Sequence, residues 1–251
     1  MLKTLPKSLF LVLFSFNGIS PAFSACNDEA SPQVNWTNCD FTGKDFKNKD
    51  LTNAVMSRAT FDNADFSGAI LENTDFNFAS LKNTRFDGAR MSHARLVSVK
   101  AQGASFKNAV LENGRLSRAQ LKNADFTGVR ADNANFYDAD LESALFSGAR
   151  LNKGNFERSN LSRANFDKSI LNKSVFLNAR LHQTSFKGAD MSRAILDKSD
   201  GLGADFTEAN LTKASFREAE IEESIFTGAI LKDTSWSNYK RCRASSIGTC
   251  K

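Results

Sequence analysis

Residues 121–150 read LKNADFTGVRADNANFYDADLESALFSGAR. Within this stretch Leu121, Phe126, Phe136, Leu141 and Phe146 fall on one five-residue phase, with Ala131 the single small residue on it. A period of five matches neither the 3.6 of a helix nor the 2 of a strand. Two residues before these centres sits a small residue: Ala119, Ala124, Ala134, Ala139 and Ala144. Each five-residue step therefore sends one large and one small side chain inward and leaves the rest outside.

The same phase runs back to Phe41 and forward to Trp236, and at the small place Lys44, Lys49, Val99 and Val129 are the exceptions. A longer period lies on top of it. Phe46, Phe66, Phe86, Phe106, Phe126, Phe146, Phe166, Phe186, Phe206 and Phe226 are twenty residues apart and all Phe. The register of Leu51, Leu71, Met91, Leu111, Ala131, Leu151, Leu171, Met191, Leu211 and Leu231 contains no Phe. The chain thus distinguishes four sides, and one turn takes twenty residues. Opposite the all-Phe side lies the register of Phe76, Phe136, Phe156, Phe176, Phe216 and Trp236, so two aromatic walls face each other between two mainly aliphatic ones. At the strand spacing of about 4.8 Å, about ten coils predict an all-β solenoid rod of roughly 50 Å.

The triplets Ala64-Asp65-Phe66, Ala124-Asp125-Phe126, Ala134-Asn135-Phe136, Ala139-Asp140-Leu141, Ala164-Asn165-Phe166, Ala204-Asp205-Phe206 and Ala209-Asn210-Leu211 resemble the A(D/N)LXX unit of the pentapeptide-repeat family. The resemblance covers about four-fifths of the chain. It implies a right-handed quadrilateral β-helix. Some cytosolic members of that family resemble duplex DNA in shape and negative charge and shield type II topoisomerases from inhibitors.

Turns between sides need a residue with positive φ, which favours Gly or Asn. Two residues after the all-Phe centres stand Gly68, Gly88, Gly128, Gly148, Gly188 and Gly228. On the side without Phe the same place holds Asn53, Asn73, His93, Asn113 and Asn133, then Lys153, Lys173, Arg193 and Lys213. Small centres at Ala101, Ala131 and Gly201 interrupt the core pattern, and Ser199-Asp200-Gly201-Leu202-Gly203, with Leu202 one place out of register, predicts a bulge or kink.

At the N-terminus Lys3 and Lys7 precede an apolar run over 9–16, then Pro21 and the small-residue stretch Ala22-Phe23-Ser24-Ala25. This is the pattern of a secretory signal peptide. The run is too short for a membrane-spanning helix of roughly 20 residues. Two cleavages compete: a cut before Ala25, or a lipobox Phe23-Ser24-Ala25-Cys26 that would anchor the chain in a membrane through Cys26. Loss of residues 1–24 takes away two lysines, so the formal charge of +5 falls to +3. The expected organisation is a signal peptide over 1–24, an N-terminal cap over 25–40, the repeat helix over 41–236 and a C-terminal cap over 237–251. All four cysteines, Cys26, Cys39, Cys242 and Cys250, lie near the ends of the mature chain. An even number in an exported protein reads as disulfides with three possible pairings, among which the local one, Cys26 with Cys39 and Cys242 with Cys250, would staple each end.

Nothing in the sequence assembles a catalytic site. His93 and His182 fall on outward positions of different sides, about 20 Å apart at the strand spacing. No nucleophile elbow, zinc-protease signature or phosphate-binding glycine loop occurs. Neither an enzyme nor a cofactor nor a metal site is expected. A calcium-binding roll is disfavoured because Arg85, Arg90, Arg95, Lys100, Arg115, Arg130 and Arg150 share the position class of the repeat carboxylates.

The candidate interaction surface is Arg130, Arg150, Lys153, Lys173, Arg193 and Lys213, which stack on the side without Phe and invite an anionic partner; the alternative is a solvated face, interrupted by Asp132 and Asp190, whose charges keep the rod soluble and blunt side-on association. Nucleic acid fits poorly with a mature charge of +3 and with export. A non-catalytic scaffold of the bacterial periplasm or exterior, docking a protein or an anionic envelope component, is the leading reading. A secreted effector-like binding protein and a topoisomerase-shielding DNA mimic are the alternatives.

Overall fold

The structure is a computed structural model in which residues 26–251 are described. The signal-peptide reading of residues 1–24 lies outside them. Every fifth residue pairs in parallel with the residue twenty positions on, without a break from Asn35↔Val55 to Ser215↔Ser235. Three backbone bonds per side join one coil to the next, among them Gly68 N–H donating to Asp87 O at 2.9 Å. Phe66 N–H donates to Arg85 O at 2.7 Å, and Asp65 N–H donates back to Lys44 O at 2.9 Å. Each side then closes with a tight turn in which Ala69 N–H donates to Phe66 O at 3.0 Å. Gly68, at φ +67, supplies the positive φ that this turn requires at its third residue. A Cβ on Gly68 would meet only the movable end of the Asn48 side chain on the coil before it, so backbone conformation is what favours glycine there.

The interior follows from the twenty-residue registers. Rings of the all-Phe wall stack coil on coil, Phe106 on Phe126 at 4.7 Å and Phe126 on Phe146 at 4.7 Å. The opposite wall meets them edge-on, Phe126 with Phe136 at 5.7 Å and 88°. Both are geometries that the ring quadrupole favours. The small inward place is filled by Ala or by hydroxyl residues whose polar atom is satisfied by backbone. Thr84 Oγ1 donates to Phe61 O at 2.8 Å and Ser159 Oγ to Phe156 O at 2.7 Å. Such partners make a hydroxyl tolerable in a closed core.

Two expectations need correction. No bulge or kink forms at Gly201: the bridges Arg180↔Asp200 and Asp200↔Glu220 continue the ladder, and Gly201 N–H donates to Glu220 O at 2.7 Å. Coil pairing uses backbone groups alone, so an absent side chain at the centre leaves the phase intact, and Leu202 simply faces solvent. Coil geometry also begins earlier than Phe41. Trp36, 1% exposed, occupies a core centre with Val34 in the small place, and Trp36 N–H donates to Val55 O at 2.7 Å.

Past Trp236 the chain turns back antiparallel to the final coil, pairing Arg241 with Ser235 and Ile247 with Ile230. Cys26 is bonded to Cys39 and Cys242 to Cys250, so each disulfide joins residues local to one end. Among the described residues no helix is long and apolar enough to cross a membrane.

Candidate binding corner

The second residue after each centre is where the chain turns a corner, and its side chain leaves the rod. On the side without Phe this column has a uniform backbone: φ is 57° at Asn73, 61° at His93, 58° at Asn113, 57° at Lys153, 60° at Lys173, 61° at Arg193 and 60° at Lys213. Asn and Gly adopt this region most readily, so the later cations occupy a place that backbone preference alone would give to Asn. Parallel pairing sets them one above the other at about 4.8 Å per coil.

Of the predicted cationic surface, the structure leaves Lys153, Lys173, Arg193 and Lys213 exposed on consecutive coils. Among the described residues none of these four pairs with a carboxylate. The nearest acid in the strand column, Asp190, is taken up by its own turn: its Oδ1 accepts Ser192 N–H at 3.1 Å, Ser192 Oγ at 2.7 Å and Asn210 Nδ2 at 3.1 Å. Ile170 and Ile195, 43% and 40% exposed, lie in the strand columns on either side.

Arg130 and Arg150 do not belong with them, which corrects the sequence expectation. Glu112 Oε1 lies 3.0 Å from Arg130 and 3.1 Å from Arg150, and Asp132 Oδ2 lies 3.0 Å from Arg150 Nε. Acids one and two coils away neutralise this pair, a relation that twenty-residue spacing conceals unless neighbouring columns are read together.

Elsewhere carboxylates tie coils together. Asp65, Asp125 and Asp205 share one register on the all-Phe side. Asp125 Oδ1 accepts Thr127 N–H at 2.9 Å while its Oδ2 sits 3.1 Å from Lys107 Nζ; Asp205 repeats this with Thr207 and Lys187, at 2.9 and 3.1 Å. In Asp65 burial opposes ionisation, but hydrogen bonds from Ser67, Arg85 and Lys47 outweigh it and hold the carboxyl well below its usual range. Burial likewise opposes, and Thr and Lys donors outweigh it, in the lowered carboxyls of Asp125 and Asp205.

Hollows mark the outer surface of the described residues. One, of about 530 Å³, includes Glu142, Arg163, His182, Asp200 and Glu223; there Arg163 pairs with Glu142 and His182 with Asp200. Another, of about 580 Å³, is lined by Asn73, His93, Arg95, Asn113 and Arg115 on the same corner as the lysine ladder. Sequence reading treated His93 as one rung of a surface column and missed the hollow, whose arginines belong to the adjacent strand column. Among the described residues no group of three or more His, Cys, Asp or Glu is placed to hold a metal ion.

The family models for the pentapeptide repeat region and for pentapeptide repeats match residues 99–176, and 35–73, 74–113, 159–197 and 203–235, respectively. No curated protein matches the chain significantly. Among solved structures it is similar to HetL, a pentapeptide repeat protein involved in heterocyst differentiation regulation in the cyanobacterium Nostoc, with 24% identity, TM-score 0.54, and coverage of 84% of this chain and 92% of that one. A pentapeptide repeat protein of the Arabidopsis thaliana thylakoid lumen matches at 25% identity and TM-score 0.39, over 44% of this chain and 82% of that one. QnrB1, a plasmid-mediated fluoroquinolone resistance protein, matches at 20% identity and TM-score 0.38, over 82% and 94%. The fold is therefore the right-handed quadrilateral β-helix. With the repeat models spanning most of its length, this chain belongs to the pentapeptide-repeat family.

Proposed function

We propose that the protein is a non-catalytic scaffold of about ten coils, exported from the cytoplasm, whose Lys153, Lys173, Arg193 and Lys213 corner docks an anionic component of the cell envelope. The observation that carries this reading is the unpaired column itself. Like charges held close together repel, and here four corner cations stand on consecutive coils with no acid in their column. A ligand bearing repeated negative charge along the rod axis relieves that repulsion, and the exposed Ile170 and Ile195 supply apolar contact beside it.

Export is supported by the N-terminal sequence pattern and by a disulfide at each end, since such bonds persist in oxidising compartments. In this reading the Cys26–Cys39 and Cys242–Cys250 bonds staple the two end segments, protecting the open ends of the solenoid.

The test is charge reversal of all four corner cations to Glu, followed by recovery with isolated envelope. Folding, read by circular dichroism, stays intact because the side chains face solvent, and envelope association weakens. Unchanged association defeats the assignment of the corner.

A further inference from the structure

Two Arg–Arg rungs occur in the ladder of the described residues, Arg130↔Arg150 and Arg95↔Arg115, each placing two guanidinium groups on adjacent coils of one side. They differ in what surrounds them. Glu112 contacts both members of the first rung, and Asp132 adds a second acid to Arg150. In the second rung Arg95 has only Asp75, at 3.7 Å, and among the described residues Arg115 has no carboxylate partner. The nearby acids are already engaged, Glu72 by Arg90 and Glu112 by the other rung.

The hollows divide in the same way. The one around His182 contains its own acids, which hold Arg163 and His182. The one around His93 is lined by Arg95, Arg115, His93, Asn73 and Asn113, with no carboxylate among them. Every one of these side chains carries an N–H donor, and the one carboxylate that reaches the two guanidinium groups is Asp75, outside the lining, at 3.7 Å from Arg95. A like-charge rung with one carboxylate for two guanidinium groups, beside a concavity whose polar lining offers donors, has one simple chemical complement: a bound oxyanion. The planar guanidinium forks suit carboxylate and phosphate oxygens, and the Asn amides one coil above and below His93 add neutral donors at the same corner.

We infer that the hollow between Arg95, Arg115 and His93 is a binding site for a single oxyanionic group, a carboxylate or a phosphate. It is separate from the lysine ladder, although both lie on one corner, and it holds whether or not the ladder docks the envelope.

The experiment uses the mature chain at low ionic strength, titrated separately with inorganic phosphate and with glucuronate, following the side-chain N–H signals of its arginines by NMR. Saturable shifts confined to Arg95 and Arg115 are expected with at least one probe, and the probe that saturates identifies the oxyanion class. Arg115→Gln weakens that binding about tenfold or more, as loss of a charge-assisted hydrogen bond requires. Lys173→Gln leaves it unchanged. Saturation by neither probe, or an equal shift at Arg193 in the lysine ladder, overturns the assignment. A second measurement guards against a merely structural effect. In the ligand-free protein at low salt, Arg115→Gln raises the melting temperature by removing an uncompensated charge, whereas Arg150→Gln lowers it by stranding Glu112 and Asp132. A lower melting temperature for Arg115→Gln also overturns the proposal.

Discussion

Two columns of like residues run along this rod, one inside and one outside, and the same backbone period produces both. Inside, Phe stacks on Phe with centroids 4.5 Å apart at Phe146 and Phe166, and each such pair adds about 0.5–1.5 kcal/mol beyond simple burial. Outside, cation follows cation at Lys153, Lys173, Arg193 and Lys213, and repetition costs energy. A helix that repeats every twenty residues amplifies whatever it repeats, so identity stabilises the core and destabilises a charged surface. Elsewhere on the surface opposite charges tie neighbouring coils, as Asp65 is tied to Lys47 on the coil before it and to Arg85 on the coil after it. The unbroken cationic run stands out against that habit.

The largest expected effect tests the inner column. Phe126 touches Phe106, Phe136 and Phe146, so Phe126→Ala opens a cavity that three rigid rings cannot fill, and costs about 3–5 kcal/mol in urea unfolding. A loss under about 1 kcal/mol would mean that the stack collapses to close the gap, and that stacking does not distinguish the two columns.

A smaller effect concerns the carboxylates that join coils. Asp125 is held ionised below the usual range because donors from Thr127 and Lys107 outweigh the effect of burial. Its folded form therefore releases its proton more readily than the unfolded chain does. Stability from this group is fully present above the ordinary carboxyl range and falls as pH drops toward the lower folded value. Asp125→Asn costs about 1 kcal/mol at neutral pH, and the variant loses less stability than the parent between about pH 5 and pH 2. Parallel pH profiles for the two proteins would remove Asp125 from the account of how coils are tied.

How much of this was legible beforehand follows from what each feature depends on. The four sides, the aromatic walls and the positive-φ corners depend on residues five and twenty apart, and these the sequence displays directly. The bulge expected at Gly201 failed because small size at a centre was mistaken for a change of phase, whereas the ladder is made by backbone groups that Gly201 retains. Arg130 and Arg150 fall in with the lysines when cations are counted along one side; their neutralisation by Glu112 runs diagonally between columns, at separations of 18 and 38 residues. The His93 hollow escaped for the same reason, since Arg95 and Arg115 come from the next side of the rod.

The smallest effect is the most discriminating for the outer column. Replacing Lys173 changes two things at once, charge and backbone preference, and the two separate by choice of residue and salt. Lys173→Gln removes the charge and keeps a side chain that tolerates φ 60° no better, so at low salt it stabilises by a few tenths of a kcal/mol, about what one opposed like-charge pair costs. That gain disappears near 1 M salt, where screening acts within about 3 Å. Lys173→Asn adds the local preference of Asn for this turn, and that part of its gain survives high salt. Lys107→Gln is the control with the opposite sign, because Lys107 sits 3.1 Å from Asp125 and its loss removes an attraction. If Lys173→Gln were instead destabilising at low salt, the column would already be compensated within the protein. The outer repetition would then carry no penalty, and the case for an anionic partner at that corner would lose its physical basis.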